Sequence, residues 1–215
     1  LATLSSGMKL RRSRTEINLL KEQVEVLSNA TAGGSEEIII GDSPVMQQVF
    51  STVEKLRDTD ANILILGENG TGKDVIARML YRNSPRYGKP FVTIDLGSIP
   101  EQLFESELFG YEKGAFTDAR KAKVGRMEVA TGGTLFLDEI GNLSLPMQAK
   151  LLTAIEKRCI SRLGSTQATP IDVRLICATN ADIRRLVDEG DFRQDLLYRI
   201  CLLYTSPSPR DYAAS

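Results

Sequence analysis

An apolar run, Asn62-Ile63-Leu64-Ile65-Leu66, stops at a glycine and passes into Gly67-Glu68-Asn69-Gly70-Thr71-Gly72-Lys73-Asp74. The run is rich in β-branched residues, which suits a strand buried on both faces. Gly67, Gly70 and Gly72 let the backbone turn tightly, so that successive N–H groups face inward toward a polyphosphate. Lys73 supplies a point charge for its β- and γ-phosphates. Val75 to Leu80 then reads as a helix whose N-terminus faces the anion. The spacing G-x-x-x-x-G-K is that of a P-loop, except that Asp74 stands where the usual hydroxyl ligand for Mg²⁺ would be. A strand before and a helix after this turn predict an α/β fold, here a three-layer P-loop NTPase with a mainly parallel central sheet.

A second apolar run, Gly132 to Leu137, ends in the acids Asp138 and Glu139. Downstream of a P-loop, the first acid of such a pair holds Mg²⁺ and the second polarises the attacking water. The chain has no histidine, which removes Ser-His and Cys-His nucleophiles and His-ligated metals, so catalysis falls to carboxylates, Lys, Arg and a bound ion. Further strands are expected at Pro90 to Asp95 and Asp172 to Thr179, the latter followed by Asn180, whose amide can orient water or touch a γ-phosphate. Helices are expected over Glu101 to Phe109, with Leu103, Phe104, Leu108 and Phe109 inward, over Pro146 to Lys157, over Ala181 to Glu189, and from Phe192 onward. Cys159 to Pro170 reads as a hairpin or loop. Arg193 and Arg199 do not share a face at ideal helical spacing.

Gly110-Tyr111-Glu112-Lys113-Gly114-Ala115-Phe116-Thr117-Asp118-Ala119 sets two aromatics among glycines and charges. This composition fits either a mobile loop presenting Phe116 or a turn that tucks Phe116 back into the domain. Near the start, Leu10, Ile17, Leu20, Val24 and Leu27 follow a heptad pattern, giving a short amphipathic helix that pairs with another subunit or docks on its own domain. Ala32 to Ser35 forms a flexible joint.

With 215 residues and a net charge of −1, the chain has room for one domain and an appendage and no global field for nucleic acid. No apolar run approaches the ~18 residues of a membrane span. Cys159, Cys177 and Cys201 lack metal-ligand spacing and read as reduced thiols, which implies the cytoplasm.

Together, Gly67 to Asp74, Glu105 to Ala119, Gly132 to Glu139 and Phe192 to Arg199 closely resemble the central AAA+ ATPase domain of sigma-54-dependent transcription activators, bacterial enhancer-binding proteins that include many response regulators. The resemblance runs from Ile38 to Ile200. It implies ATP and Mg²⁺ as cofactors, with Gly67, Glu68, Asn69, Gly70, Thr71, Gly72, Lys73 and Asp74 around the phosphates. It further implies Asp138 on the metal, Glu139 on the water, Asn180 as nucleotide sensor, and Arg193 and Arg199 as arginine fingers acting on a neighbour's ATP in a hexameric ring. Gly114, Ala115, Phe116, Thr117, Asp118 and Ala119 match the loop that touches sigma-54. An acid at Asp74 is what this family carries. Asp118 stands where the family usually has glycine, and Asp95 where it usually has an asparagine that pairs with the glutamate. The domain reading is a linker helix over 1–35 (the end of a receiver and its connector), the ATPase domain over 36–200 without its helical lid, and a tail over 201–215 foreign to the family. DNA contact would come through a missing C-terminal domain. The rival readings are another AAA+ remodeller, or an inactive fragment that only binds nucleotide.

Overall fold

The computed structural model describes residues 44–200 and 203–205, together with residues 17 and 20. Of the heptad positions only Ile17 and Leu20 are described, both helical and exposed; the rest of that helix, the glycine joint and residues 206–215 lie outside the described residues.

The described chain begins with α1 (Pro44–Lys55) and β1 (Ile63–Leu66), followed by α2 (Lys73–Arg82) and β2 (Phe91–Asp95). Next come α3 (Glu101–Phe109), the short pair β3 (Gly110–Tyr111) and β4 (Lys123–Val124), α4 (Arg126–Val129) and β5 (Thr134–Asp138). A 3₁₀ turn at Ile140–Asn142 leads into α5 (Leu145–Lys157), the hairpin β6 (Cys159–Ser161) and β7 (Ala168–Pro170), and β8 (Arg174–Thr179). The last elements are α6 (Ile183–Glu189), α7 (Gln194–Ile200) and β9 (Leu203–Thr205).

Strands β2, β5, β8, β1 and β9 form, in that order, a five-stranded sheet whose neighbours all pair in parallel. Successive side chains of a strand point to opposite faces, and both faces here are apolar. Ile63 and Ile65 of β1, with Phe136, Ile176 and Ala178, pack under Val49 and Val53 of α1 and Ile76, Ala77 and Leu80 of α2. Leu64, Leu135, Leu137, Leu175 and Cys177 face the other way, against α3, α5, α6 and α7. Helices on both faces make the expected three layers.

Helix α3 departs from expectation at one position. Phe104, Leu108 and Phe109 are buried, but Leu103 is 48% exposed. The inward stripe of this helix is carried by Phe104 and Leu108, and Leu103, adjacent in sequence to Phe104, is turned about 100° away from it. The segment Cys159 to Pro170 is a hairpin, in antiparallel register from Cys159↔Pro170 to Ser161↔Ala168.

Sheet order and sequence order reverse at β1. From β1 the chain goes to the far edge at β2, returns through β5 and β8, and crosses to β9 on the other flank. In open parallel sheets the crevice at such a reversal, beyond the C-terminal ends of the strands, is where ligands bind.

Candidate functional site

The turn after β1 occupies that crevice. Gly70 and Gly72 have φ of 80° and 79°, a left-handed backbone that a side chain at either position would strain. Gly72 precedes α2 without a side-chain hydrogen bond capping it, so no side chain takes up the N–H groups of the first turn. Lys73 is buried, and its Nζ donates to the carbonyls of Gly67 and Glu68 at 3.1 and 3.3 Å. Asp74 is exposed in the first turn, where a negative charge is favourable. The turn is tied to β8: Gly67 N–H donates to the Thr179 carbonyl at 3.2 Å, and the Asn180 amide donates to Asn69 Oδ1 at 2.9 Å.

Asp138 and Glu139 reach the same crevice from β5. Lys73 Nζ lies 3.5 Å from Glu139 Oε1. The other Glu139 oxygen accepts from Thr179 Oγ1 at 3.3 Å and from the Asn180 N–H at 3.1 Å. Glu139 itself has φ 55°, a left-handed conformation for a residue with a side chain. Such strain costs on the order of 1–3 kcal/mol and collects at functional sites. Asp138 pairs in register with Asp95 on β2. Burial pushes the Asp138 carboxyl above its ordinary range, and the charges of Glu139 and Asp95 add to this. Lys73 and the Glu139 N–H, which donates to Asp138 Oδ1 at 3.0 Å, work against it.

The crevice suits a metal-bound nucleotide. Asp138 offers one hard oxygen donor, and its raised pKa marks a place where a cation would relieve crowded negative charge. Among the described residues no group of three acid, cysteine or histidine side chains could hold a metal by itself. A hard divalent ion there would complete its shell with phosphate oxygens and water, as Mg²⁺ characteristically does.

The structure thus gathers Gly67 to Asp74, Asp138, Glu139 and Asn180 into one site. Asp95 is nearby, but its Oδ1 accepts from the Gly97 N–H at 2.8 Å, and Glu139 bonds to the end of β8. Sequence reasoning missed Thr179 and Asn69 as the partners of Glu139 and Asn180. A hydroxyl closing the strand just before Asn180 was the available signal for Thr179.

Arg193 and Arg199 are not brought to this site. Arg193 is exposed and binds Asp195 through two hydrogen bonds of 2.9 and 2.6 Å. The Arg199 carbonyl accepts from the side-chain amide of Asn62, which leads into β1 at the opposite end from the P-loop.

The segment Gly114 to Ala119 is a compact turn outside the sheet. Gly114 N–H donates to the Ala119 carbonyl at 2.8 Å, and Ala119 N–H to the Phe116 carbonyl at 3.0 Å. The Phe116 ring rests edge-on against Tyr111, with ring centroids 4.9 Å apart, and is 44% exposed, so it is neither tucked fully into the domain nor free of it. The base of the turn is anchored. Glu112 N–H donates to the Leu163 carbonyl at 3.0 Å, and buried Arg162 binds Glu112 at 3.0 Å and both carboxylate oxygens of Glu128 at 2.9 and 2.6 Å.

The family description "Sigma-54 interaction domain" matches residues 39–205, a span that takes in β9. The chain is 47% identical over 169 residues to the Nif-specific regulatory protein of Azorhizobium caulinodans, covering 79% of this chain and 28% of that protein. It is 49% identical over 162 residues to the C4-dicarboxylate transport transcriptional regulatory protein DctD of Pseudomonas aeruginosa, covering 75% of this chain and 35% of that one. The chain therefore spans about a third or less of these relatives. Among solved structures, NtrX from Brucella abortus in complex with ATP superimposes with a TM-score of 0.74 at 31% identity, over 93% of this chain and 42% of that one. Among the described residues no helix is long and apolar enough to cross a membrane. The chain belongs to the sigma-54 interaction domain family.

Proposed function

We propose that this domain binds ATP with Mg²⁺ in the crevice after β1 and couples ATP hydrolysis to movement of the Gly114–Ala119 turn against sigma-54, remodelling RNA polymerase for promoter opening in the cytoplasm. The observation that carries the reading is the convergence of Lys73, Glu139, Thr179 and Asn180 on the glycine turn. Lys73 would neutralise the β- and γ-phosphates, and Asp138 would hold the metal, whose chemistry when bound would be Lewis-acid polarisation of the γ-phosphate. Glu139, released from β8, accepts a proton from the attacking water. Asn180 sits between Asn69 of the turn and the end of β8, so a γ-phosphate entering there would disturb the bonds that hold Glu139.

Arg193 and Arg199 serve a neighbouring copy in this reading. Both are exposed, and Arg199 is held at the other end of the sheet from the P-loop of its own chain. A head-to-tail contact that closes gives a ring, hexameric in this proposal, and an arginine supplied in trans contributes about 10³–10⁵ in rate. In this reading residues 1–35 form the linker helix before the domain, and a DNA-binding domain would belong to the longer protein.

Capture of purified sigma-54 tests the coupling. With ATP and a metal-fluoride mimic of the γ-phosphate, wild-type chain is expected to retain sigma-54 and Phe116→Ala to lose it while still binding nucleotide. Equal capture by the two would remove the turn from the proposal. Failure of wild type to capture sigma-54 while it binds nucleotide would favour a different AAA+ remodeller or a module that only binds nucleotide.

A further inference from the structure

A cavity of about 330 Å³ opens at the N-terminal ends of β1 and β8, away from the P-loop. Its charged lining is Asp60, Arg86, Arg158, Asp172 and Arg199. Arg86 is fully committed: it donates to both oxygens of Asp60 at 2.6 Å, to Asp172 Oδ1 at 2.9 Å, and to the carbonyls of Gly133 and Asp172 at 3.0 Å. The guanidinium groups of Arg158 and Arg199 make no hydrogen bond or ion pair among the described residues.

The backbone holds both arginines at the cavity. Arg158 ends α5 in a left-handed conformation with φ 49°, and its carbonyl accepts from the Ile171 N–H at 2.9 Å. The Arg199 carbonyl is bound by Asn62, also a lining residue. A third positive group stands behind the wall. Arg174 is 1% exposed, its Nε donates to the Ala61 carbonyl at 3.1 Å, and its Nη2 is buried without a partner. Ala61 lines the cavity. Asp60 and Asp172 hydrogen-bond to Arg86, and four arginines (Arg86, Arg158, Arg174 and Arg199) against these two carboxylates leave the cavity with a net positive charge.

We propose that this cavity binds a phosphate-class oxyanion, gripped by Arg158 and Arg199. A guanidinium presents a planar fork of donors that matches two phosphate oxygens at once. A net positive charge around a small polar space favours an anion. Such an anion has two sources: free polyphosphate, or the terminal phosphates of a nucleotide held by a second copy of the chain. Only the second source rests on the ring reading above. Arg158 is then a phosphate contact additional to Arg193 and Arg199, and better placed than Arg193, which must first release Asp195.

Arginine side-chain NMR of the chain, titrated with inorganic tripolyphosphate at low protein concentration, tests the site directly. The Nε–Hε signals of Arg158 and Arg199 are expected to shift together and saturate at one midpoint. That midpoint should weaken at least fivefold in Arg158→Ala, tighten in Asp60→Asn, and weaken as salt is raised. Signals that stay still or drift without saturating in dilute chain, or an unchanged midpoint in Arg158→Ala, would overturn the free-anion form. A second arm mixes labelled Lys73→Ala chain with unlabelled Arg158→Ala chain at high concentration and adds ATP with Mg²⁺. A response of Arg158 only in this mixture identifies a neighbour's nucleotide as the anion. A response to tripolyphosphate in dilute chain identifies a free-anion site, and silence in both arms refutes either form. The amide signals of Gly70 and Gly72 report the P-loop separately, so failure of nucleotide binding there is distinguishable from failure at this cavity.

Discussion

Lys73 Nζ sits 3.5 Å from Glu139 Oε1, so the buried cation of the glycine turn and the acid after β5 neutralise each other across the crevice. The arrangement is a resting one. Lys73 spends its other donors on the carbonyls of Gly67 and Glu68, and Glu139 leans on Thr179 and Asn180. A polyphosphate would compete for Lys73 and free the carboxylate to meet water. Glu139→Gln keeps the size and removes the base. It is expected to bind ATP about as well as wild type and to lower phosphate release from assembled chain by roughly 10²–10⁴-fold, the usual weight of a positioned base. Single-turnover phosphate release beside nucleotide titration checks the split.

Arg162 and Glu128 form an ion pair with side-chain exposures of 8% and 7%, joining the β6–β7 hairpin to α4 beneath the Phe116 turn. Removing one partner strands a buried charge. Arg162→Ala is expected to lose about 3–5 kcal/mol of unfolding free energy in urea. An Arg162→Met, Glu128→Leu double variant should recover much of that loss, because it leaves no buried charge unpaired; Glu112, which also loses Arg162, is 45% exposed.

Acid stability has a traceable contributor in Asp60. Its hydrogen bonds with Arg86 hold its carboxyl below the ordinary value of 3.8, with the charges of Arg86, Arg174 and Arg158 assisting against partial desolvation. A depressed folded-state pKa stabilises the fold above the unfolded pKa and stops doing so as pH falls through the folded one. Wild type should therefore be more stable than Asp60→Asn at neutral pH, by a modest amount because the Asp60 side chain is 54% exposed. The gap should close below pH ~4, where the unfolded carboxyl protonates. Thermal unfolding of both proteins from pH 7 to pH 3 measures it.

Much of the fold was legible because the strands state their burial. Ile63 to Leu66, Leu135 to Leu137 and Leu175 to Ala178 are apolar at every position, and only a sheet covered on both faces buries such runs. The glycine turn, Asp138 and Glu139 were legible because strand ends in a parallel sheet gather at one edge. Pairings between distant residues were hidden. Nothing local ties Arg162 to Glu128, or Asn69 to Asn180, since both depend on how the loops pack. The meeting of Gly110 with Gly125 was equally hidden. A Cβ on either would come within 2.5 Å or less of backbone atoms, so β3 and β4 tolerate no side chain at that crossing. The exposure of Leu103 shows the converse error, since apolar character alone does not say which way a helical residue points.

Isothermal titration of ATP with Mg²⁺ into the chain and into Lys73→Ala tests the central claim most directly. Saturable binding by wild type, weakened at least tenfold in the variant while its unfolding midpoint stays near that of wild type, is the predicted result. Equal affinity in the two proteins, or no saturable binding by a folded wild type, would contradict a nucleotide seated on the glycine turn.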